Sequence, residues 1–441
     1  MPGKCLLSVP VTGGYDRSVS VALISAVDPY PTDAGKKVVL AGFLDYFADR
    51  YGPRNVHYIK VGAAPQQEFG VTVHVVPGPT RAAVVGNMLT KVSTGRASLQ
   101  EAFLGSRVTG AAISRVLTEI RPRLQVYDTV RMAQYASDAV AAEQICYLDD
   151  LFSERYARML EAAETYPDVD ISPLGNFAEH IPRRLRPLAS HRLGQSVLLR
   201  VERALVRRSE DRTARRFHRS VLINADEAAI LANRTGLPPT RIRCVPPLLT
   251  PPVAAVRRYD GAPEFLFLGL LLLPHNDDGL QWFLRTTWPR VQERLPGAHL
   301  RVIGRDPRPE LLDLAGKLGD SVSVDGYVPD LGDALGRAAA LINPLRFGSG
   351  VKLKVIEALG SAVPVVSTPI GSEGIASGAG TGVLVGSEPA EIAELLCSLT
   401  DPVRNNEVSA AARAHFLQTY SRQAVFEAYD AAFARDQPSS L

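Results

Sequence analysis

Residues 343–358 read NPLRFGSGVKLKVIEA, a pattern typical of a strand, a tight turn and a helix in succession. The strand is predicted to end near Pro344 and the helix to begin near Val351. Such a helix start presents free backbone N–H groups and the positive end of the helix dipole, which suits a phosphate. Gly348 and Gly350 would let the backbone approach a ligand without a Cβ in the way.

The side chains of this predicted helix add charge to the same place. Lys352 lies in the first turn, while Gly350, Lys354 and Glu357 follow at helical spacing and should share one face. An ionised Glu357 on that face is well placed to accept hydrogen bonds from ribose hydroxyls. Two simpler alternatives are an ordinary strand-to-helix connection and an ion pair between Glu357 and Lys354 on a solvated face.

Short apolar runs alternate with helix-length segments throughout the second half of the chain. Strands that alternate with helical crossovers indicate a parallel sheet covered on both faces. The predicted strands are 265–269, 300–303, 322–324, 340–344 and 363–367, and the predicted helices are 278–295, 310–318, 331–338 and 351–359.

The first half repeats this alternation, and the chain divides into two domains. Its 441 residues exceed the roughly 250–300 at which a single core stops growing. Five prolines between residues 245 and 263 exclude a central strand or helix there and predict a linker. We expect an N-terminal domain over 1–250, a C-terminal domain over 251–414, and a final helix over about 415–441 that packs back on the first domain. The strands predicted in the first domain are 19–27, 56–61, 71–76, 124–127, 144–148 and 221–224, with helices at 36–50, 151–162 and 225–234.

Composition places the chain among ordinary globular proteins. It is 46% hydrophobic and 22% charged, with a net charge of +3. Residues 1–18 lack the apolar core of a signal peptide, and the longest apolar run, 265–273, is less than half of the ~20 residues that span a bilayer. The four cysteines show no paired spacing, so neither a disulfide framework nor a zinc site is expected. These features predict a cytoplasmic protein.

Residues 342–374, which end in PVVSTPIGSEG, closely resemble the donor-binding motif of glycosyltransferase family 4, with exopolysaccharide-type members most similar. The resemblance extends back through 265–304 and, more faintly, to 29–35 and 149–153. It implies the GT-B fold, an α/β architecture of two Rossmann-like, doubly wound parallel-sheet domains that face a cleft. It further implies a nucleotide-diphosphate sugar as donor substrate, retention of anomeric configuration, and neither a metal nor another cofactor.

The resemblance also implies roles for individual residues. Glu357 matches the second glutamate of the family motif, which is expected to hold the ribose, whereas the first glutamate falls at Ser349. The basic pair that the family carries near the start of this domain falls at Leu270 and about His275, which leaves more diphosphate charge to the lysines. Gly35 would let the first-domain loop close over the donor. The expected catalytic residues are Lys352, Glu357 and Asp150, and the expected substrate-binding residues are Gly35, Gly304, Arg346, Gly348, Ser349, Gly350, Lys354 and His275.

Two pairs of adjacent acidic residues have other interpretations. Asp149 and Asp150 end a predicted strand, where neighbouring carboxylates point to opposite sides and share a metal ion poorly. A metal-binding pair and a strand end at which Asp150 caps the helix at 151–162 are two equal alternatives for these residues. Asp277-Asp278 is expected to cap the helix that follows it. His275, just before that helix, either contacts phosphate or caps.

A basic segment runs from Arg183 to Arg219. Anionic lipid headgroups or a lipid-diphosphate acceptor would explain it, which would place the protein peripherally on the inner face of the membrane. A solvated helix face is the alternative. Nucleic acid is not expected because no aromatic residues are interleaved with the charge. The arginines are Arg183, Arg184, Arg186, Arg192, Arg200, Arg203, Arg207, Arg208, Arg212, Arg215, Arg216 and Arg219.

The leading functional hypothesis is a retaining glycosyltransferase that moves a sugar to a saccharide, a lipid-linked saccharide or a small molecule. An isomerase or epimerase acting on a nucleotide sugar within the same fold would need an acid/base pair, and no His/carboxylate couple is evident. A non-catalytic nucleotide-sugar-binding subunit is a third hypothesis, because Ser349 stands where the family has a glutamate.

Overall fold

The computed structural model describes residues 19–166, 192–249 and 257–433. Within these ranges the chain forms two parallel β-sheets, one of seven strands and one of six. Helices cover both faces of each sheet, so the expected α/β class with two doubly wound domains is confirmed.

The first sheet has the strand order β3-β2-β1-β4-β5-β6-β7. Its central strand β1 reads VALIS and is buried at every position, which is typical of a parallel strand packed on both faces. Sequence patterning missed β7, because this three-residue strand has Arg243 at its centre and therefore no continuous apolar run. The strands are β1 Val21–Ser25, β2 Val56–Val61, β3 Thr72–Val76, β4 Leu124–Asp128, β5 Glu143–Asp149, β6 Arg219–Leu222 and β7 Ile242–Cys244.

The second sheet repeats this topology with the order β10-β9-β8-β11-β12-β13. The chain reverses its direction of travel across the sheet between β8 and β11, and open α/β sheets bind ligands outside the carboxyl ends of the strands at such a point. The strands are β8 Glu264–Leu268, β9 His299–Ile303, β10 Val322–Val324, β11 Ala340–Asn343, β12 Val365–Ser367 and β13 Val383–Val385.

The helices fill the crossovers between strands. The single helix expected over 278–295 is in fact two, because Pro289 lies at the start of the second and cannot continue the first. They are α1 Gly35–Tyr51, α2 Arg81–Asn87, α3 Leu99–Leu104, α4 Arg107–Ile120, α5 Thr129–Ala133, α6 Phe152–Thr165, α7 Arg192–Arg216, α8 Ala225–Thr235, α9 Pro274–Thr286, α10 Trp288–Arg294, α11 Pro309–Lys317, α12 Gly332–Arg337, α13 Leu353–Gly360, α14 Pro389–Ser398, α15 Pro402–Thr419 and α16 Arg422–Phe433.

The last helix returns to the first sheet. Phe416 of α15 packs in the core of the second sheet, whereas Tyr429 of α16 packs against Phe43 in the core of the first. The returning helix begins at Arg422, so residues 415–419 of the expected helix belong to α15, and its residues 434–441 lie outside the described part of the chain.

The expected linker also joins the two cores. Val245 packs with the first sheet and Leu249 with the second, so the chain passes between them within five residues. Pro251 and Pro252 lie outside the described residues.

The crossing helix is expected to stabilise the first domain. Tyr429 is fully buried, and its ring lies 5.1 Å from Phe43 and 5.4 Å from Tyr46. Tyr429→Ala should therefore lower the free energy of unfolding by about 3–5 kcal/mol, the usual cost of truncating a buried aromatic residue. Glu427→Ala, exposed on the same helix, is the matched control in denaturant titrations. Equal midpoints for the two variants would show that α16 contributes little to the first domain.

Candidate functional site

The Gly-Ser-Gly turn leads from β11 into α13 at the carboxyl edge of the second sheet. The helix begins at Leu353, two residues later than expected, with Lys352 at the N-cap position and no side chain capping it. Val355 N–H donates to the Lys352 carbonyl oxygen at 2.9 Å, and the amides of Leu353 and Lys354 are left for another acceptor. Gly350 lies before the helix, so the expected face shared by Gly350, Lys354 and Glu357 does not form.

The two glycines of the turn are required by backbone conformation. Gly348 has φ 132° and Gly350 has φ 76°, values that L side chains adopt with strain. Crowding is not the reason: a Cβ on Gly350 would have Asp150 Oδ2 as its nearest neighbour at 3.7 Å, and one on Gly348 would lie 3.9 Å from His275. The turn therefore faces Asp150 of the opposite domain.

Two lysines flank the helix start, of which Lys352 is buried and Lys354 half-buried. Lys352 Nζ donates to the carbonyl oxygens of Ser349 at 2.9 Å and Gly350 at 2.5 Å, while Lys354 Nζ donates to Asn276 Oδ1 at 3.0 Å. Burial, with smaller effects of nearby arginines, lowers the pKa of Lys352 to about 8, although Glu373 and Asp150 oppose the shift. Burial and the charge of Lys352 lower the pKa of Lys354 to about 7. Both groups would gain from a nearby anion.

His275 and Glu357 complete this side of the cleft. His275 lies in the first turn of α9 rather than before it, so it does not act as a cap. Burial, together with Lys352 and Lys354, lowers the pKa of His275 to about 4 and keeps the ring neutral. Burial raises the pKa of Glu357. Because Lys354 bonds to Asn276, the alternative Glu357–Lys354 pair is not formed.

Two predicted binding residues have structural partners. Arg346 donates to the Asp278 carboxylate through Nε at 2.9 Å and through Nη2. Its guanidinium lies 4.3 Å from the ring centroid of Tyr166 in the first domain. Gly304 packs so tightly against β8 that a Cβ would lie 1.8 Å from the Gly269 carbonyl oxygen. Gly304 is therefore glycine for packing reasons.

The predicted capping by the acidic pairs is wrong. Helix α9 begins one turn earlier than expected, at Pro274, whose missing N–H costs nothing at a first helical position. Asp277 thus lies inside the helix, where it accepts from Gln281, and Asp278 pairs with Arg346.

Asp150 does not cap α6 either. Its Oδ2 accepts from Arg155 Nε at 2.9 Å and from Nη2, while the Leu151 amide is capped by Glu227 Oε2 at 2.7 Å. Asp149 turns the other way to accept from Tyr147 at 2.6 Å, so the two carboxylates point apart as expected. Over residues 19–166, 192–249 and 257–433, no group of three or more His, Cys, Asp or Glu side chains could hold a metal ion.

Ion pairs across the cleft went unnoticed in the sequence. Arg158 on α6 pairs with Glu373 of the second domain and lies 3.5 Å from Glu227 of the first. Arg158 and Glu373 are 215 positions apart in the sequence, so no local pattern connects them. The quoted motif does contain Glu373, and that was the one available signal.

The glycine loop of the first domain reaches the donor side. Gly35 is the first residue of α1, and a Cβ there would lie 3.7 Å from Leu353 Cδ1 at the start of α13. The next residue, Lys36, pairs with Asp128 at 2.7 Å, and Ser25 Oγ donates to the same carboxylate at 2.6 Å. The carboxyl ends of β1 and β4 therefore also carry polar side chains into the cleft.

The basic segment is only partly a free surface. Arg212 pairs with Glu101, Arg216 donates to the Ala136 carbonyl, and Arg219 pairs with Glu143. Arg207 and Arg208, with Arg215 further along, are exposed on α7, whereas Arg183, Arg184 and Arg186 lie outside the described residues. In the described part of the chain, no helix combines the length and the apolarity needed to cross a membrane.

Residues 262–401 match the family model of glycosyl transferases group 1. The C-terminal domain belongs to this family. An uncharacterised 44.6 kDa protein from the cps region of Klebsiella pneumoniae is 27% identical over 168 residues, which are 36% of this chain and 43% of that protein. The chain thus matches less than half the length of this curated relative.

Solved structures resemble nearly the whole chain around the group 1 domain. HepE of Anabaena, solved with UDP and glucose, has a TM-score of 0.57 at 11% identity and covers 93% of this chain and 97% of its own. TarM has a TM-score of 0.61 at 8% identity, with 95% and 99% covered. Sucrose-phosphate synthase of Thermosynechococcus elongatus has 0.59 at 13% identity, with 93% and 96% covered. At such identities the likeness establishes the fold, and the expected GT-B fold is confirmed.

The ionisation of Glu227 should be visible in the stability of the protein. Burial, with the neighbouring Asp150, raises the pKa of Glu227 to about 8, so the folded protein holds a proton that the unfolded chain releases above its own lower pKa. This contribution to stability is complete below that unfolded pKa and is lost as the pH rises toward 8. Between pH 5.5 and 7.5, Glu227→Gln should remove a slope of roughly 1.4 kcal/mol per pH unit from the free energy of unfolding.

Denaturant titrations at the two pH values measure this slope. Glu161→Gln, an exposed substitution on α6, is the control and should keep the wild-type slope. Other buried carboxyl groups with a raised pKa, such as Glu202, contribute the same slope in all variants. An unchanged slope in Glu227→Gln would mean that this carboxylate is ionised in the folded protein.

Proposed function

We propose that the protein is a retaining glycosyltransferase whose donor is a nucleotide-diphosphate sugar bound on the group 1 domain. The observation that carries this proposal is the uncapped start of α13, which follows two glycines of positive φ and lies between the buried Lys352 and the half-buried Lys354. Backbone N–H groups, a helix dipole and two ammonium groups at one point suit a diphosphate.

The lysines are suited to a step in which phosphate charge develops. Both have pKa values lowered by burial, so an arriving diphosphate relieves their desolvation and draws them into the charged form. Because the departing nucleoside diphosphate carries more negative charge in the transition state than in the donor, Lys352 would stabilise the transition state more than the bound donor. A protein cation in this position removes the need for a metal ion.

Glu357 is placed to bind the ribose. It lies one turn inside α13, away from the glycine turn, half-buried and without an ion-pair partner among the described residues. The two oxygens of a carboxylate in such a position can accept hydrogen bonds from the vicinal hydroxyls of a ribose.

The acceptor would approach from the first domain, where Asp150 faces the glycine turn. Structurally similar proteins motivate the acceptor class: HepE is described in complex with UDP-glucose, and TarM of S. aureus with UDP and α-GlcNAc-glycerol. We infer a saccharide, free or lipid-linked, as the acceptor class.

The exposed part of α7 supports contact with an anionic membrane. Val197 and Val201 are 59% and 51% exposed on the same helix as Arg207, Arg208 and Arg215. Apolar and basic side chains side by side suit the interface between headgroups and acyl chains. Such contact would bring a lipid-linked acceptor to the cleft.

Ligand binding tests the proposed donor site. The wild type is screened against nucleotide-diphosphate sugars and nucleoside diphosphates of different bases. We expect the compounds of one base to raise its melting temperature. For that base, Glu357→Gln should weaken the binding of both the nucleoside and the nucleoside diphosphate by about 1.5–3 kcal/mol, because charge-assisted hydrogen bonds to the ribose are lost. Lys352→Ala should leave the affinity for the nucleoside unchanged and should reduce turnover more than donor affinity.

The controls for this experiment are Glu394→Gln and Lys317→Ala, which make the same chemical changes at exposed positions. A saturating chelator should change turnover by no more than about twofold, and the product should keep the anomeric configuration of the donor. No stabilisation by any panel member would contradict the proposed function, and equal nucleoside binding by Glu357→Gln and wild type would remove Glu357 from the ribose.

The membrane contact is tested separately with vesicles. Replacing Arg207, Arg208 and Arg215 together with Gln should weaken binding to anionic vesicles by about 1 kcal/mol per arginine at low salt. Replacing Arg285, Arg290 and Arg294, which are exposed on the other domain, is the matched control. If the two triple variants bind vesicles equally, α7 does not contact the membrane.

A further inference from the structure

A second polar cluster lies between the domains, beside the proposed diphosphate site. Arg158 connects Glu373 of the second domain with Glu227 of the first, and Glu227 in turn accepts from the amide next to Asp150. Asp150 and Glu227 are 3% and 0% exposed, and the side chains of Arg158 and Glu373 are 21% and 14% exposed, so the cluster is largely shielded and opens to solvent on the side of the last two.

Several buried atoms of this cluster have no hydrogen-bond partner among the described residues. They come from both domains: Asp150 Oδ1, Glu227 Oε1, Glu373 Oε2 and Arg158 Nη1. Glu227 Oε1 has only the ion-pair contact of 3.5 Å with Arg158. Leaving a buried polar group unpaired costs about 1–3 kcal/mol, so four such atoms in one place indicate a ligand with several hydrogen-bonding groups.

The unpaired atoms of the cluster indicate a ligand that both donates and accepts hydrogen bonds, because they include carboxyl oxygens as well as an arginine nitrogen. The carboxylates of Asp150 and Glu373 pair with Arg155 and Arg158, so acidic and basic groups lie side by side here. Carboxylates would repel a phosphate, and guanidinium groups would repel a cation. Hydroxyl groups both donate and accept, which suits carboxylate oxygens and an arginine N–H together.

The position of the cluster identifies the source of the hydroxyls. Asp150 lies against the glycine turn, and Glu373 acts on Lys352, so the cluster adjoins the diphosphate site on the side of the opposite domain. We propose that Glu373, held by Arg158, binds a hydroxyl group of the sugar that the donor carries. This inference rests on the proposed function and adds a sugar-recognising residue outside the 343–358 segment.

The test separates sugar recognition from diphosphate binding. The probes are the nucleotide-diphosphate sugar that most stabilises the wild type and its nucleoside diphosphate. Glu373→Gln should bind the nucleoside diphosphate within about twofold of wild type, and the complete donor about tenfold more weakly, because one charge-assisted hydrogen bond is lost. Glu394→Gln, exposed in the same domain, is the control and should change neither.

Donors that lack one sugar hydroxyl exclude a purely structural role for Glu373. If this residue binds one hydroxyl, the wild type loses about tenfold for one deoxy donor, and Glu373→Gln no longer distinguishes that donor from the complete one. Equal losses for every deoxy donor in both proteins would overturn the proposal and leave the Arg158–Glu373 pair as a contact that holds the domains together. Failure of the wild type to bind any donor would instead reject the proposed function itself.

Discussion

Charges buried between two domains are costly unless each has a partner of opposite charge, and this requirement constrains how the two domains meet at the cleft. Arg158 on α6 is the partner of both Glu227 in the first domain and Glu373 in the second. Within the first domain, Arg155 pairs with Asp150, which lies against the glycine turn. The Arg158–Glu373 pair links the helix that follows β5 to the loop that follows β12.

The glycine turn is the second constraint, because its geometry sets how the C-terminal domain can meet a ligand. Positive φ at Gly348 and Gly350 folds the chain so that Lys352 bonds back to the carbonyls before it. The first amides of α13 then remain uncapped. With the lysine charges held in a buried place, the affinity for an anion is greater than at an exposed helix start.

The parallel sheets and the glycine turn were predictable from sequence because buried parallel strands are continuous apolar runs, and because glycine marks a turn before a helix. Strand β7 was not predicted because Arg243 interrupts its apolar run, and β13 was missed although β10 and β12, of the same three-residue length, were predicted. Capping by Asp150 and Asp278 was wrong since each carboxylate has an arginine that sequence spacing does not reveal. The Arg158–Glu373 pair depends on the docking of two domains, and although the donor-binding motif includes Glu373, nothing in a single sequence identifies Arg158 as its partner.

The central claim is that the C-terminal domain holds the diphosphate of a sugar donor at the start of α13. A crystal structure with the stabilising nucleoside diphosphate bound tests this most directly. The account predicts phosphate oxygens within about 3.2 Å of the backbone N–H groups at Leu353 and Lys354, with Lys352 Nζ turned from the loop carbonyls toward them. A diphosphate bound elsewhere, with Lys352 still on the carbonyls of Ser349 and Gly350, would contradict it.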